Sequence, residues 1–265
     1  MPEGHTVRRQ ALQHWARFGD APVHLSSPQG RFADGAALLD GHVLEHADAY
    51  GKHLFLGFGH DLWLHVHLGL YGSWTFGSAP APAPRGALRV RLENTTSYAD
   101  LRGATACEVF TGAERDAVLA RLGPDPLRPR VRSDMAWSRI STSRSAIGLL
   151  LMDQAVLAGV GNVYRAEVLF RAGIDPHRAG RLLTREEWDA VWADLVTLMR
   201  AGVKAGRIVT TRPPDRERSS GRVRRVDAHY VYRRTGEPCR VCGAPIATEV
   251  MGARNLFWCP RCQSA

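Results

Sequence analysis

Residues 151–167 read Leu-Met-Asp-Gln-Ala-Val-Leu-Ala-Gly-Val-Gly-Asn-Val-Tyr-Arg-Ala-Glu. They lie inside a helical stretch, 145–172, that Gly159-Val160-Gly161 interrupts. A tight Gly-x-Gly turn ahead of a helix exposes backbone N–H groups that can meet phosphate, and it equally serves a plain helix–helix turn. Working outward from it, Thr184 and Glu187 form a capping box, with Leu183 and Trp188 at the staple positions. The helix they open carries an apolar face through Val191, Trp192, Leu195, Leu198 and Met199, and Gly202 is its expected stop. Thr111 and Glu114 form a second capping box upstream, ahead of Val118, Leu119 and Leu122. Pro124, Pro126 and Pro129 follow Gly123 as a linker.

The first third has a different period. Val7, Ala11, Trp15 and Phe18 mark one face of a helix over 4–17. Residues 42–110 alternate in the manner of Leu62, Leu64 and Val66, with turn signals at Gly57–Asp61, Gly77–Gly86 and Asn94, which predicts antiparallel strands and hairpins. Gly77–Gly86 is a proline-rich loop.

With 265 residues, 45% apolar and 23% charged, the chain can fill two ordinary domains and is not disordered. Its net charge is +9, and 33 of its 35 basic residues are arginine, Lys52 and Lys204 being the exceptions. The excess charge fits a polyanionic partner such as a nucleic acid. Ten basic residues against three acidic ones fall within 204–234, around a flexible Ser219-Ser220-Gly221. No run of 18 apolar residues suggests a membrane span, and the amino terminus lacks a secretion pattern, so a cytoplasmic location is expected.

In a reducing compartment the cysteines read as metal ligands. Cys239-x2-Cys242 and, sixteen residues on, Cys259-x2-Cys262 have zinc-ribbon spacing. Four thiolates close the coordination sphere, so one Zn²⁺ would brace a small fold and would not activate water. Cys107 is left as a small core residue. Arg254, between the pairs, would be held on a metal-braced hairpin where it could meet a phosphate.

Three further residues carry chemistry. Pro2 follows Met1, and a small second residue favours removal of the initiator. A free amino-terminal proline is a secondary amine with a pKa near ~7.7–8.0, able to attack an aldehyde carbon and form an iminium, an electron sink for elimination. Glu3 could move protons beside it. Lys52, in Tyr50-Gly51-Lys52-His53, is a cation that can lose its proton, as arginine cannot.

Together these residues resemble the formamidopyrimidine-DNA glycosylase / endonuclease VIII family. The resemblance runs through Met-Pro-Glu-Gly, Gly51-Lys52, His67-Leu68-Gly69-Leu70-Tyr71-Gly72, Leu122-Gly123-Pro124-Asp125, the 151–167 stretch, Val231-Tyr232 and the terminal Trp258-Cys259-Pro260-Arg261-Cys262-Gln263. It implies an α+β multidomain fold: an N-terminal antiparallel β-sandwich flanked by helices (1–122), a helix–two-turn–helix DNA-binding domain (123–228) and a four-cysteine zinc ribbon, or zinc finger (229–265). DNA would lie between the first part and the rest.

It also implies a bifunctional DNA glycosylase and abasic-site lyase of base excision repair, using one structural zinc and no redox or nucleotide cofactor. Pro2 would be the Schiff-base nucleophile and Glu3 the acid. Lys52 would be the acid/base that also grips phosphate, and Arg254 would assist δ-elimination. Asn162 and Arg121 match backbone-contacting positions, and Leu70 and Tyr71 match fillers of the gap left by an extruded base. Leu70-Tyr71-Gly72 and Gly148-Leu149-Leu150-Leu151 look like the endonuclease VIII branch, which favours oxidised pyrimidines. Thr6 stands where many members have Glu, and Gly69 where that branch has Gln. The expected partner is damaged DNA, single- or double-stranded, met by a monomer in a bacterial cytoplasm, with the nucleoid. The rival readings are a non-catalytic zinc-ribbon DNA-binding protein and an abasic-site lyase without base excision.

Overall fold

A computed structural model describes residues 2–264; Met1, with its expected removal, lies outside the described residues. The chain forms two units, 1–121 and 122–265. No helix among the described residues is long and apolar enough to cross a membrane.

The first unit starts with α1 (Gly4–Phe18), followed by β1 (His24–Ser26) and α2 (Ala33–Leu39). Then come β2 (Leu44–Tyr50), β3 (His53–Phe58), β4 (Leu62–His67), β5 (Ser73–Ser78), β6 (Leu88–Glu93), β7 (Ser97–Arg102), β8 (Ala106–Thr111) and α3 (Gly112–Leu119). The strands make two four-stranded antiparallel sheets, β2-β3-β4-β8 and β1-β6-β7-β5. Period-2 alternation turns Leu54, Leu56, Leu64 and Val66 of one sheet into the same core as Val90, Leu92, Ala99 and Leu101 of the other. Cys107 joins that core, and burial pushes its thiol up to about 12. The expected turns fall between strands; at Asn94 the side-chain oxygen accepts from the N–H groups of Thr96 and Ser97 at 3.0 and 2.8 Å. Inside the second sheet, Arg91 forks onto Asp100 at 2.7 and 3.0 Å, so two buried charges satisfy each other.

Helix α1 buries Val7, Ala11 and Phe18 as its pattern predicts, but Trp15 is 40% exposed. At about 100° per residue the spacing 7, 11, 14, 18 follows one stripe better, and it is His14 that goes inside, against the rings of Trp74 and Phe76.

The second unit holds α4 (Asp134–Ile140), α5 (Ile147–Leu150), α6 (Asn162–Ala172), α7 (Arg185–Ala205), β9 (Ala247–Met251) and β10 (Arg254–Trp258). The interruption at Gly159–Gly161 is longer than its glycines suggest. Helix α5 is a single turn, and the chain then turns through 151–161 before α6 begins. Gln154 stabilises these turns: its Nε2 donates to Met152 O and Val160 O, and its Oε1 accepts from the N–H of Gly159. Both capping boxes form as read. Gly202 does not end α7, however. Val203, Lys204 and Ala205 carry the helix one turn further, and Gly206 caps it in the left-handed region at φ 70°.

Two buried charges on α6 organise this unit. Glu167, fully buried, accepts from the backbone N–H groups of Tyr230, Val231 and Tyr232 at 2.7, 2.8 and 2.8 Å, and from the Thr210 hydroxyl. A carboxylate out of water needs such a ring of donors. The segment entering the ribbon is thereby fixed to α6, and Phe170 stacks on Tyr230 in the core shared with Phe257 and Cys259. Arg165, also fully buried, donates to the carbonyls of Gly148, Met251 and Asn255 and to Asn162 Oδ1.

Glu167→Ala should strand the three buried N–H groups of 230–232 and cost about 3 kcal/mol or more, at about 1–3 kcal/mol for each orphaned group after partial relaxation, while the Thr210 hydroxyl can turn to Ala228 O. Urea unfolding of the second unit's transition measures it.

Candidate active site and nucleic-acid interface

In the first unit, the placement of Pro2 and Glu3 follows from how α1 lies on β2. The carboxyl end of α1 meets the start of β2, where Gly19 bridges Leu44 and the Asp20 N–H donates to Leu44 O at 2.9 Å. Further back along the helix, Arg8 pairs with Asp48 at 2.5 Å. Helix and strand therefore run antiparallel. The eleven residues from Arg8 to Gly19 rise about 16 Å and the four from Leu44 to Asp48 about 14 Å, so the two contacts are consistent. The amino end of α1, with Pro2 and Glu3, is carried to the end of β2 where Gly51 and Lys52 turn the chain into β3. Glu3 is fully buried at the helix cap, its carbonyl accepting from Thr6 N–H at 2.9 Å. Gly51 has φ 58° between the paired Tyr50 and His53, as a two-residue hairpin with glycine first requires, and Lys52 is half-buried beside it.

The same end of the sheet carries His67, then the loop with Leu70 and Tyr71. Leu68 and Trp74 are buried on either side, while Leu70 is 41% and Tyr71 86% exposed. The loop closes through Gly72 N–H to Leu68 O at 2.9 Å. Gly69 sits at φ 63°, where a Cβ would come within 1.9 Å of the Thr105 hydroxyl. A side chain is excluded there, which leaves two projecting side chains on a rigid base. Arg121, exposed after α3, is close enough for its charge to act on His53.

In the second unit, Asn162 opens α6. It is 5% exposed, and its Nδ2 donates to Asn255 O at 2.8 Å while its Oδ1 accepts from Arg165. Its amide thus fixes the β9–β10 hairpin onto the helix. That hairpin turns at Gly252 and Ala253, both at positive φ (62° and 57°) between the paired Met251 and Arg254. Arg254 is the first residue of β10, and its Nη1 donates to Ala253 O at 3.2 Å. No carboxylate of the described residues pairs with it. Asn162 and Arg254 are therefore neighbours through one hairpin.

The four cysteines converge. Their ligand atoms all lie within 4.8 Å of one another, with Cys239 to Cys262 at 3.9 Å and Cys242 to Cys259 at 3.4 Å. Sulfurs set tetrahedrally at roughly 2.3 Å from one ion stand about 3.8 Å apart, so the cluster fits zinc. Backbone N–H groups of Val241 and Cys262 donate to the sulfurs of Cys239 and Cys259, as suits thiolates. Ala244 N–H helps bring Cys242 down to about 7. Gln263 secures the second knuckle, accepting from Cys259 N–H and donating to Ile174 O, both at 2.9 Å.

Arg165 and Glu167, which hold Asn162 and the ribbon, carry no local mark of that role in the sequence beyond their place in the 151–167 stretch. Two charges within the apolar run Val163–Phe170 were the available signal, since such residues go fully inside only when paired.

Known proteins resemble this arrangement over the whole chain. Family profiles match residues 1–107 as the formamidopyrimidine-DNA glycosylase N-terminal domain, 122–213 as the formamidopyrimidine-DNA glycosylase H2TH domain, and 236–265 as the zinc finger found in FPG and IleRS. Endonuclease 8 1 of Mycobacterium tuberculosis is 51% identical over 100% of both chains. Endonuclease 8 of Escherichia coli is 31% identical over 99% of this chain and 100% of its own. Formamidopyrimidine-DNA glycosylase of Geobacter sulfurreducens is 36% identical over 85% and 83%. Among solved structures, the Lactococcus lactis FPG complexed with DNA containing an oxidised pyrimidine superposes with a TM-score of 0.83 at 21% identity, each chain fully covered. The chain belongs to the formamidopyrimidine-DNA glycosylase and endonuclease VIII family.

Proposed function

We propose that this protein is a bifunctional DNA glycosylase and abasic-site lyase of base excision repair. The observation that carries the reading is the antiparallel course of α1 along β2, which directs the amino end of the helix, with Pro2 and Glu3 before it, toward the turn that bears Lys52. A pure DNA-binding protein has no use for an amine, a buried carboxylate and a lysine gathered at one end of a sheet.

The chemistry follows from the residues. A stacked nucleotide exposes neither its glycosidic bond nor its sugar carbon, so the lesion is turned out of the helix. Leu70 and Tyr71 enter the gap and offset part of the unstacking cost. The Pro2 nitrogen bonds to C1′ and gives up its proton, and the base departs with the electrons of the glycosidic bond and takes a proton up. Glu3 passes a proton at the ring oxygen as the sugar opens to an iminium. Lys52 takes the C2′ proton, and the C3′–O bond breaks with its electrons on the departing phosphate. Arg254 holds phosphate for the second elimination, which breaks C5′–O. Asn162 serves the same backbone-binding corner, and Arg121 adds a further phosphate contact.

We divide this work among 1–122, for catalysis, 123–228, for holding DNA, and 229–265, the ribbon that presents Arg254. The zinc that the four cysteines would hold braces this hairpin and takes no part in bond breaking. The endonuclease 8 relatives and the Leu70-Tyr71-Gly72 sequence favour oxidised pyrimidines as substrates. The bacterial relatives favour a protein that acts in the cytoplasm, with the nucleoid, as a monomer.

Borohydride trapping on an abasic duplex tests the reading. Protein with a free Pro2 should form a covalent adduct and protein retaining Met1 should not; equal trapping by both would refute it. Lys52→Arg keeps the charge but should slow strand cleavage roughly 10²-fold, since a general base of this kind contributes at least that much. Tyr71→Ala should slow excision from duplex about tenfold or more in single-turnover assays and leave cleavage of single-stranded abasic DNA near wild type. Removing zinc with a chelator should weaken DNA binding, read by fluorescence anisotropy, because the hairpin under Arg254 loses its brace.

A further inference from the structure

Next to Lys52 in the chain, on the face of β3 and β4 opposite the sandwich core, begins a row of histidines that the chemistry above does not use. His53 pairs with His67 across the strands, Phe55 with His65, and His65 with Glu108 of β8. His65 is 4% exposed and stacks between the rings of Phe55 and Phe110, at centroid distances of 5.1 and 4.5 Å. Its Nδ1 lies 3.4 Å from Glu108 Oε2, and its Nε2 lies 2.9 Å from His53 Nδ1.

This chain fixes both tautomers. A carboxylate only accepts, so His65 Nδ1 carries the hydrogen it donates to Glu108. Neutral His65 then has a bare Nε2, which must accept, so His53 Nδ1 carries the hydrogen between them. That leaves His53 Nε2 as a lone pair on the ring edge turned away from His65. The charged and titratable groups that act on His53 are His65 and His67 of β4, Arg121 beyond α3, and Lys52 next to it in the chain. Burial first, then these neighbours, bring His53 down to about 3, so the ring is neutral at working pH. His67 is lowered too, by burial and then by Lys52. An acceptor placed among cations is an unusual arrangement, and the fixed tautomer maintains it.

We propose that Glu108, His65 and His53 form a positioning relay for Lys52, with His53 Nε2 accepting a hydrogen bond from the lysine amine and thereby aiming its lone pair at C2′. Lysine reaches its target through four rotatable bonds, and a geometric error of about 1 Å can cost on the order of 10²-fold in rate. The relay holds the head group in place without adding charge that would compete for phosphate. The proposal rests on the reading of Lys52 as the group that takes the C2′ proton.

The test uses the full-length processed protein on an abasic duplex under single-turnover conditions, with borohydride trapping and strand cleavage measured side by side and the unfolding midpoint recorded for each variant. His53→Leu and Glu108→Leu should trap at wild-type yield but cleave roughly tenfold or more slowly. His53→Gln, whose amide oxygen can accept, should recover most of the rate. Without Glu108, His65 can place its hydrogen on Nε2, so that His53 presents a donor to Lys52. The Glu108 side chain is 54% exposed, so its variant reads the relay even where a His53 variant folds poorly. Normal cleavage by Glu108→Leu, or equal loss in His53→Gln and His53→Leu, would overturn the relay. Absence of trapping by the wild type would instead refute the Pro2 chemistry, and the relay with it.

Discussion

The second unit depends on a carboxylate that has no access to water. Glu167 sits fully inside α6 and is tolerable there only because three consecutive N–H groups at 230–232 and the Thr210 hydroxyl point at it. The constraint works in both directions, since those N–H groups are equally expensive to bury unpaired. It fixes the entry to the ribbon to the helix whose first residue is Asn162. Arg165, two residues earlier, repeats the arrangement with opposite sign and ties the same helix to the hairpin that bears Arg254. The four-cysteine cluster, which fits one zinc, then closes the ribbon from its far end. Asn162 and Arg254 are thus held by an anion nest, a cation nest and four sulfurs, none of which need touch a substrate.

The first unit solves a different problem. The groups proposed to act there come from a chain terminus, a two-residue turn and an exposed loop, all of which are normally the most mobile parts of a protein. Each is pinned. The terminus is the first turn of a helix bound to β2 at two points, the turn is a glycine-first hairpin within a four-stranded sheet, and the loop is anchored by Leu68 and Trp74. Gly69, the departure from the endonuclease VIII pattern, has a steric cause in the Thr105 side chain behind it.

Much of this was legible in the sequence where spacing alone carries the chemistry. The cysteine pairs, both capping boxes and the strand-rich region at 42–110 all follow from local pattern, and local pattern also singles out Pro2, Glu3 and Lys52 as the residue types whose reactivity is proposed. What local pattern could not supply is partnership at a distance. Trp15 fitted the apolar spacing, yet His14 took the inside because Trp74 and Phe76 were there to receive it. Gly202 looked like a stop because glycine usually is one, but Val203, Lys204 and Ala205 continue the helix and it is Gly206 that takes the left-handed cap. Arg165, Glu167 and the His53–His65–Glu108 row acquire meaning only from register and from partners tens of residues away.

The central claim is that catalysis runs through a covalent bond from the Pro2 nitrogen to the sugar. Mass spectrometry of the peptide recovered from the borohydride-reduced complex measures it directly. The deoxyribose remnant is expected on the imino nitrogen of a peptide beginning at Pro2. A remnant located on Lys52 or Lys204, or fully active protein whose first residue is still methionine, would contradict it.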